Sequence, residues 1–394
     1  MDKIEEVLTR GVEQVLPSKK ALAELMRKRP ITLYQGFDPT GDRLHIGHAV
    51  GLRKLAQFQK LGHKVIFLIG DFTGMVGDPT GKLSERKKLT HEEVLKNAKN
   101  YKEQASKILN FTGENPVEIK FNGEWLGKMS AVDFFRLAHH LTYAQIIERD
   151  IFQKRIKGGQ DVYMNEFLYP FMQGYDSVAM NVDLEIGGTD QVFNMLMGRK
   201  LMKNILHKEK YVLTVPLLTD GHGDKIGKTE NNIIALTDKP SDFYSKIMSL
   251  SDDSIINCFR LLTDKPLKKI AEIEKAIKKG GNPMKYKKLL AFELTEWLNS
   301  EEEAETAQKV FETTFQKRQL PERMKEVKVK ESSFPLLDLV FASKLVSSRS
   351  EAKRLITQGA VDVNGETIKS TTREVVLPAT IKIGKTKFVK ILQI

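Results

Sequence analysis

The sequence predicts an α/β fold, a doubly wound parallel sheet followed by a wholly α-helical segment and a small α+β segment. Three observations carry that reading. Continuous apolar runs of strand length, "HKVIFLIGDF" the clearest, alternate with helical patterns over roughly 220 residues, as strands buried on both faces do. From Pro240 to about Gln316 the apolar spacing is helical, with no strand signal. After a charged stretch, "KRQLPERMKEVKVKESS", the pattern restarts as two short helices, a turn and a hairpin on Asn364-Gly365. A chain of 394 residues is too long for one ordinary core. The expected segments are 1–239, 240–318, a linker at 319–333, and 334–394.

In order, residues 1–30 read as two short amphipathic helices ended near Pro30. "ITLYQGF" is strand-like, and a turn rich in Asp, Pro and Gly leads to a helix from about Ile46 to Leu61. A glycine-rich loop, "TGMVGDPTGK", follows the apolar strand, then a long polar helix from about His91 to Leu109. "PVEIKFN" is a strand, with helices to about Arg149. After the basic loop "KRIKGGQD" come the apolar helix "NEFLYPFMQGYDSVAMN", the strand "DLEIGG", the helix "TDQVFNMLMGRKLM" and the strand "YVLTVPLL".

Composition excludes several classes. No run approaches the ~18 apolar residues of a membrane span. "MDKIEEVLTR" is neither a secretory signal nor an Arg-rich transit peptide. The single Cys258 excludes an intrachain disulfide framework and a cysteine zinc cluster, and suits a reducing cytoplasm. Of the net charge of +12, two thirds lies in the last fifth of the chain: Lys317 to Ile394 holds sixteen Lys/Arg against eight Asp/Glu. A basic appendage on a nearly neutral body suggests a polyanion, most plausibly nucleic acid.

Two loops suit phosphate. His45 and His48 sit at a strand-loop-helix junction, where the free backbone N–H groups and the dipole of a helix start favour anions. Gly47 lets a flat group approach the backbone. Taken alone, the pair could equally be structural turn histidines. The second loop is "TDGHGDKIGKTENN", in which Lys225 and Lys228 can act as point charges. Neither it nor "GDPTGK" is a P-loop: the first has His222 where the leading glycine belongs, and the second has only three residues between its glycines.

The pair "HIGH" (His45 to His48) and "KIGKT" (Lys225 to Thr229) resembles the two signature motifs of the class I aminoacyl-tRNA synthetases. Five ordered blocks, including "YQGFDPTGDRLHIGH", "GDFTGMVGDPTGK", "EFLYPFMQGYDSVA" and "GGTDQVFN", extend the likeness to the tyrosyl-tRNA synthetases over nearly the whole chain. The C-terminal segment resembles an S4 RNA-binding domain. The resemblance implies a Rossmann-like catalytic domain, an α-helical domain on the anticodon-stem side, an S4-like domain, and a homodimer with its interface around residues 125–165.

The residues test the likeness independently. On a helix, Tyr169, Gln173 and Asp176 fall on one face, among Phe167, Leu168, Phe171, Met172 and Val178. A polar stripe on a buried helix is costly unless it binds something or closes an internal hydrogen-bond network. Pro170 and Gly174 are expected to bend that helix.

The resemblance assigns Asp176 and Tyr34 to the phenolic hydroxyl of L-tyrosine, and Asp78, Tyr169 and Gln173 to its ammonium group. Gln191 would also contact this substrate. Gly36, Asp38, His45, Gly47, His48, Gly188 and Asp190 would hold ATP. Thr40 and His45 would meet its terminal phosphates, with Lys82, Arg86, Lys225, Lys228 and Thr229 stabilising the departing charge. Gln35 and Gly51 stand where some members put Cys and Thr at the ribose. Mg²⁺ is expected with the ATP and no dedicated protein metal site. Arg349, Lys353 and Arg354 would contact tRNA(Tyr), Lys353 lying i+4 from Arg349.

The implied reaction is attack of the tyrosine carboxylate on the α-phosphate, then transfer of the tyrosyl group to the terminal adenosine of tRNA. The alternatives are a tryptophan enzyme, which Asp176 opposes, a catalytically idle RNA-binding protein, and a small nucleotidyltransferase with a His-x-Gly-His motif.

Overall fold

A computed structural model describes residues 2–78, 89–140, 142–147, 150–220, 223, 225–226, 233–316, 325–329, 331–346, 348–384 and 387–393. The chain divides into two compact units, Met1–Glu305 and Thr306–Ile394.

The first unit is built on a six-stranded sheet: β1 (Gln14–Leu16), β2 (Thr32–Phe37), β3 (Lys64–Ile69), β4 (Glu118–Phe121), β5 (Leu184–Gly188) and β6 (Tyr211–Val215), in spatial order β1-β6-β5-β2-β3-β4. Strands β2 to β6 pair in parallel. Their apolar runs follow from this: β3 and β6 are buried along almost their whole length. The chain order reverses between β2 and β5, which makes that boundary the natural ligand site of a doubly wound sheet.

Two details depart from the sequence expectation. The N-terminal region holds a strand as well as its two helices: β1 pairs antiparallel with β6, Val15 opposite Leu213. Three residues, "QVL", are too few to show a period of two, so tertiary pairing makes this strand. The expected helix from His91 to Leu109 is two helices, His91–Ala98 and Tyr101–Ala105, because Asn100 leaves the helical region (φ −105°, ψ 7°).

Three helices position the site. Ile46–Lys60 follows β2 and buries Ile46, Leu52, Leu55 and Phe58. Met164–Met180 runs through Pro170 and ends on Asn181 in the left-handed conformation. Val192–Leu206 follows a short 3-10 turn, Thr189–Gln191, and lies against Met164–Met180. Gly174 permits that close approach, since a Cβ there would stand 3.0 Å from the backbone nitrogen of Gly198. Beyond β6, Pro240–Met248, Ile255–Leu262, Leu267–Lys278 and Pro283–Leu298 are all helical, as expected, with proline starting the first and last.

The second unit packs helices Leu336–Ala342 and Arg349–Thr357 on a five-stranded sheet. Its core includes Leu339, Ile356, Val361, Ile381 and Val389. Asn364 and Gly365, both at positive φ, form the expected hairpin turn between β9 (Val361–Val363) and β10 (Glu366–Thr367). The stretch read as a linker, 319–333, carries β7 (Lys325–Val329), which pairs in parallel with β13 (Lys387–Gln393). Alternate valines in a lysine-rich segment, "KEVKV", look like solvated chain, yet Val327 and Val329 pack on the core.

Candidate active site

A cleft of about 270 Å³ opens at the carboxyl ends of β2, β3, β5 and β6, at the reversal point of the sheet. Its inner end is a network of buried polar groups. Asp176 Oδ1 accepts from Trp125 Nε1 at 2.7 Å, and Oδ2 from Asn122 Nδ2 at 3.2 Å. Burial pushes the Asp176 carboxyl well above the usual carboxylate range, against the pull of those two donors. Burial, then the charges of Glu185 and Asp176, raises the Tyr34 phenol well above its ordinary value, so it stays protonated. Its hydroxyl partner is Ser177 Oγ, at 2.9 Å.

The next layer outward joins two helices to the loops. Tyr169 donates to Asp38 Oδ2 at 2.7 Å, and Thr73 to Asp38 Oδ1 at 2.7 Å. Asn122 also donates to Thr73 Oγ1 at 2.9 Å, so Asp38 and Asp176 are joined through two neutral side chains. Asp78 follows Gly77, whose φ of 81° suits glycine, and accepts from Gln191 Nε2 at 2.7 Å. Gln173 Nε2 donates to Glu185 Oε1 at 3.0 Å, while its own oxygen accepts from Asn194 at 3.0 Å. The polar stripe is thus both a hydrogen-bond network and a cavity wall, since Tyr169, Gln173 and Asp176 all line the cleft. Asp38, which the sequence reading gave to ATP, is thus bonded to Tyr169, which that reading gave to the amino acid.

The two histidines face the outer part of the same cleft. His45 caps the Ile46–Lys60 helix: its Nδ1 accepts from the Gly47 N–H at 3.1 Å, and His48 Nδ1 accepts from the His45 N–H at 3.2 Å. Two Nδ1 acceptors place the proton of each neutral ring on Nε2. The rings stack with centroids 3.9 Å apart. A Cβ on Gly47 would stand 3.0 Å from the His45 ring, so glycine is what leaves that face open. The segment after the second signature loop pairs with the backbone around His45: Ile46 N donates to Ile234 O and Leu236 N to Leu44 O.

Lys225 Nζ lies 2.7 Å from Asp190 Oδ2, and both side chains are partly solvent-exposed. Gly36, Thr40 and Gly188 also line the cleft. Gln35 lies over Gly51, where a Cβ would fall 2.2 Å from its amide oxygen, so the large and small residues at these positions fit together. Lys82, Arg86, Lys228 and Thr229 lie outside the described residues. Arg349, Lys353 and Arg354 belong to the second unit, exposed on Arg349–Thr357, whose Ala352 and Ile356 face the core. Arg349 is paired with Asp338 at 2.6 Å.

The sequence reading missed Thr73, Asn122, Trp125, Ser177, Glu185 and Lys210. Glu185 carried a signal: a carboxylate in the middle of an otherwise apolar strand is costly unless it is paired. Asn122 and Trp125 follow the end of β4, a place where ligands gather in such sheets, but neither residue type stands out in a sequence.

The family described as tRNA synthetases class I (W and Y) matches residues 26–316, and the S4 domain family matches residues 334–375. The chain is 44% identical over 386 residues to a protein named tyrosine–tRNA ligase 2 from Vibrio vulnificus, covering 98% of this chain and 97% of that one. It is 43% identical over 390 residues to a tyrosine–tRNA ligase of Thermotoga maritima, covering 98% and 96%. A C-terminally truncated mitochondrial tyrosyl-tRNA synthetase of Coccidioides posadasii superimposes with a TM-score of 0.64 at 25% identity, covering 78% of this chain and 91% of the other. By matches that span nearly its whole length, the chain belongs to the class I tRNA synthetases, in the group of the tyrosine–tRNA ligases.

Proposed function

We propose that the chain activates L-tyrosine with ATP to tyrosyl-adenylate and pyrophosphate, then passes the tyrosyl group to the 3′-terminal adenosine of tRNA(Tyr). The observation that carries this reading is one cleft with two ends of different chemistry. Asp176 and Tyr34 stand buried at the inner end, and two capping histidines stand at the outer end. A phenol that enters far enough meets a carboxylate acceptor and a hydroxyl; phenylalanine would leave both unpaired. An indole offers no hydroxyl at that depth, which disfavours the tryptophan reading.

In this assignment Asp78, Tyr169 and Gln173 take the ammonium group and Gln191 supports the same substrate. Thr40 and His45 take the terminal phosphates through hydroxyl and Nε2–H donors and His48 supports the ribose end, with Gly36, Asp38, Gly47, Gly188 and Asp190 lining the nucleotide. Lys225 would leave Asp190 for the departing pyrophosphate, joined by Lys82, Arg86, Lys228 and Thr229. The carboxylate of tyrosine is already a nucleophile at neutral pH, so positioning and charge stabilisation suffice and no general base is required. Mg²⁺ enters as the companion of the ATP phosphates. Among the described residues no group of three His, Cys, Asp or Glu is placed to hold a metal ion.

Residues 1–239 form the catalytic domain in this reading, 240–318 a helical domain beside the anticodon stem, and 334–394 the RNA-binding domain. Arg349, Lys353 and Arg354 offer tRNA phosphates an exposed basic face. A homodimer is supported by large apolar side chains exposed along 125–165: Val132 at 58%, Phe135 at 74%, Tyr143 at 72% and Met164 at 71%. A cytoplasmic location fits the single, buried Cys258. Among the described residues no helix is long and apolar enough to cross a membrane.

The test is pyrophosphate exchange into ATP with each of the twenty amino acids and no tRNA. Exchange driven by tyrosine alone is the expected result. Exchange driven by tryptophan would overturn the Asp176 and Tyr34 assignment, and silence with all twenty would favour an idle RNA-binding protein.

A further inference from the structure

Behind the inner end of the cleft lies an ion pair that the proposed chemistry does not use. Lys210, just before β6, is fully buried and bonded through Nζ to Glu185 Oε2, on β5. Nζ also donates to the Met195 carbonyl at 3.0 Å. The ammonium occupies a space that Gly198 leaves open. A Cβ on Gly198 would stand 2.6 Å from Lys210 Nζ and 2.8 Å from Ser177 Oγ, while Gly174 lies directly against Gly198. A long cation threaded to such a place pays a desolvation cost that packing alone does not explain.

What hangs from the pair is the substrate wall. Glu185 Oε1 holds Gln173 Nε2 at 3.0 Å, and Oε2 receives Ser177 Oγ at 3.5 Å; Ser177 in turn meets the Tyr34 hydroxyl at 2.9 Å. Glu185 itself lines the cleft together with Asp38, Asp78 and Asp176. With Asp190, which Lys225 pairs, five carboxylates line so small a space, and Lys210 is the buried cation bonded behind them to Glu185.

We propose that Lys210 and Glu185 are positioning residues for the amino-acid substrate. Lys210 cancels the charge of Glu185, so that Glu185 can act as a fixed acceptor for Gln173 and Ser177 while its repulsion of the Asp176 carboxylate is offset. The inference rests on the tyrosine reading of the cleft and adds two residues to it. Asp176 is faced by Glu185, Asp38 and Lys210, by the Tyr34 phenol, and by the neutral donors Trp125 and Asn122. Removing the Lys210 charge takes away an attraction that favours the Asp176 carboxylate and leaves the repulsion from Glu185 and Asp38.

The experiment compares wild type, Lys210→Met and Glu185→Gln/Lys210→Met by tyrosine-dependent pyrophosphate exchange across pH, with a thermal melt of each. Lys210→Met should raise the KM for tyrosine by about tenfold or more, the equivalent of one pKa unit, and leave the KM for ATP within about twofold. Its acid limb in kcat/KM for tyrosine should move to higher pH, because Asp176 is then protonated more readily. The double variant keeps an uncharged acceptor for Gln173 and removes both charges, so it should return to within about fivefold of wild type.

A Lys210→Met protein with a wild-type tyrosine KM and an unmoved acid limb overturns the proposal. So does a double variant no better than the single one. If Lys210→Met does not fold, the double variant decides alone: a near wild-type tyrosine KM supports the pair as a neutralised clamp, and a large loss overturns it. Absence of tyrosine-dependent exchange in the wild type would instead refute the ligase reading itself.

Discussion

Two lysine–carboxylate pairs, one behind the inner end of the cleft and one on its open side, differ in nearly every physical respect. Lys210–Glu185 is sealed, with side chains 0% and 2% exposed. Lys225–Asp190 is open, at 48% and 23%. An exposed pair of this kind contributes about 0–1 kcal/mol, so its lysine can exchange one anion for another at little cost. A buried pair has no such freedom, because separating it strands a charge at several kcal/mol. In the proposed assignment burial therefore divides the labour: the inner pair can only hold geometry, and the outer one is free to follow a phosphate as it leaves. Recognition would then sit where nothing has to move, and charge stabilisation where water still enters.

Three substitutions break or sharpen that contrast. The largest effect belongs to Asp176→Ala. It should lower kcat/KM for tyrosine in pyrophosphate exchange by about 10²-fold or more, the ~3 kcal/mol of a charge-assisted hydrogen bond. An unchanged circular dichroism spectrum should accompany that loss. Near-normal activation would mean that the inner end does not read the phenol. Lys225→Ala should act on the other coordinate: kcat for adenylate formation falls by about 10²-fold while the tyrosine KM stays put. A rise in tyrosine KM of the same size would show that the two ends are not separable.

The smallest effect is expected from Gly198→Ala. It gains about 1 kcal/mol of helix propensity but drives a methyl group toward the Lys210 ammonium, an overpacking cost of ~1–3 kcal/mol. A slightly lowered Tm with a several-fold higher tyrosine KM is the expected outcome. A raised Tm with unchanged KM would mean that Lys210 has room to give way.

Much of this molecule was legible in its sequence, for identifiable reasons. The parallel strands showed as apolar runs because both faces are buried, and the Asn364-Gly365 hairpin showed because only certain residues accept its positive φ. Asp176 and Gln173 were found because polar residues at helical spacing contradict their apolar neighbours. Strands β1 and β7 were not legible, since each is short and gains its definition from a partner roughly 200 or 60 residues away. Lys210 was hidden for a related reason. In "HKEKYVLT" it is one lysine of a solvated-looking turn, and nothing local says that Gly198 on the preceding helix has left a place for it. Local pattern reports which face a residue prefers; it does not report which partner waits there.

The pairing of β7 with β13 has a mechanical side. The two strands are parallel neighbours, in register from Lys325 opposite Val389 to Val329 opposite Gln393. Tension applied through the segment before Lys325 and the residue after Gln393 would pull adjacent strands in opposite directions along their length. Their hydrogen bonds would then share the load together in shear instead of parting one after another. In the proposed reading this basic unit binds tRNA, and the strand that enters its sheet is well placed to bear such a pull, so its forced unfolding should be slow for its size.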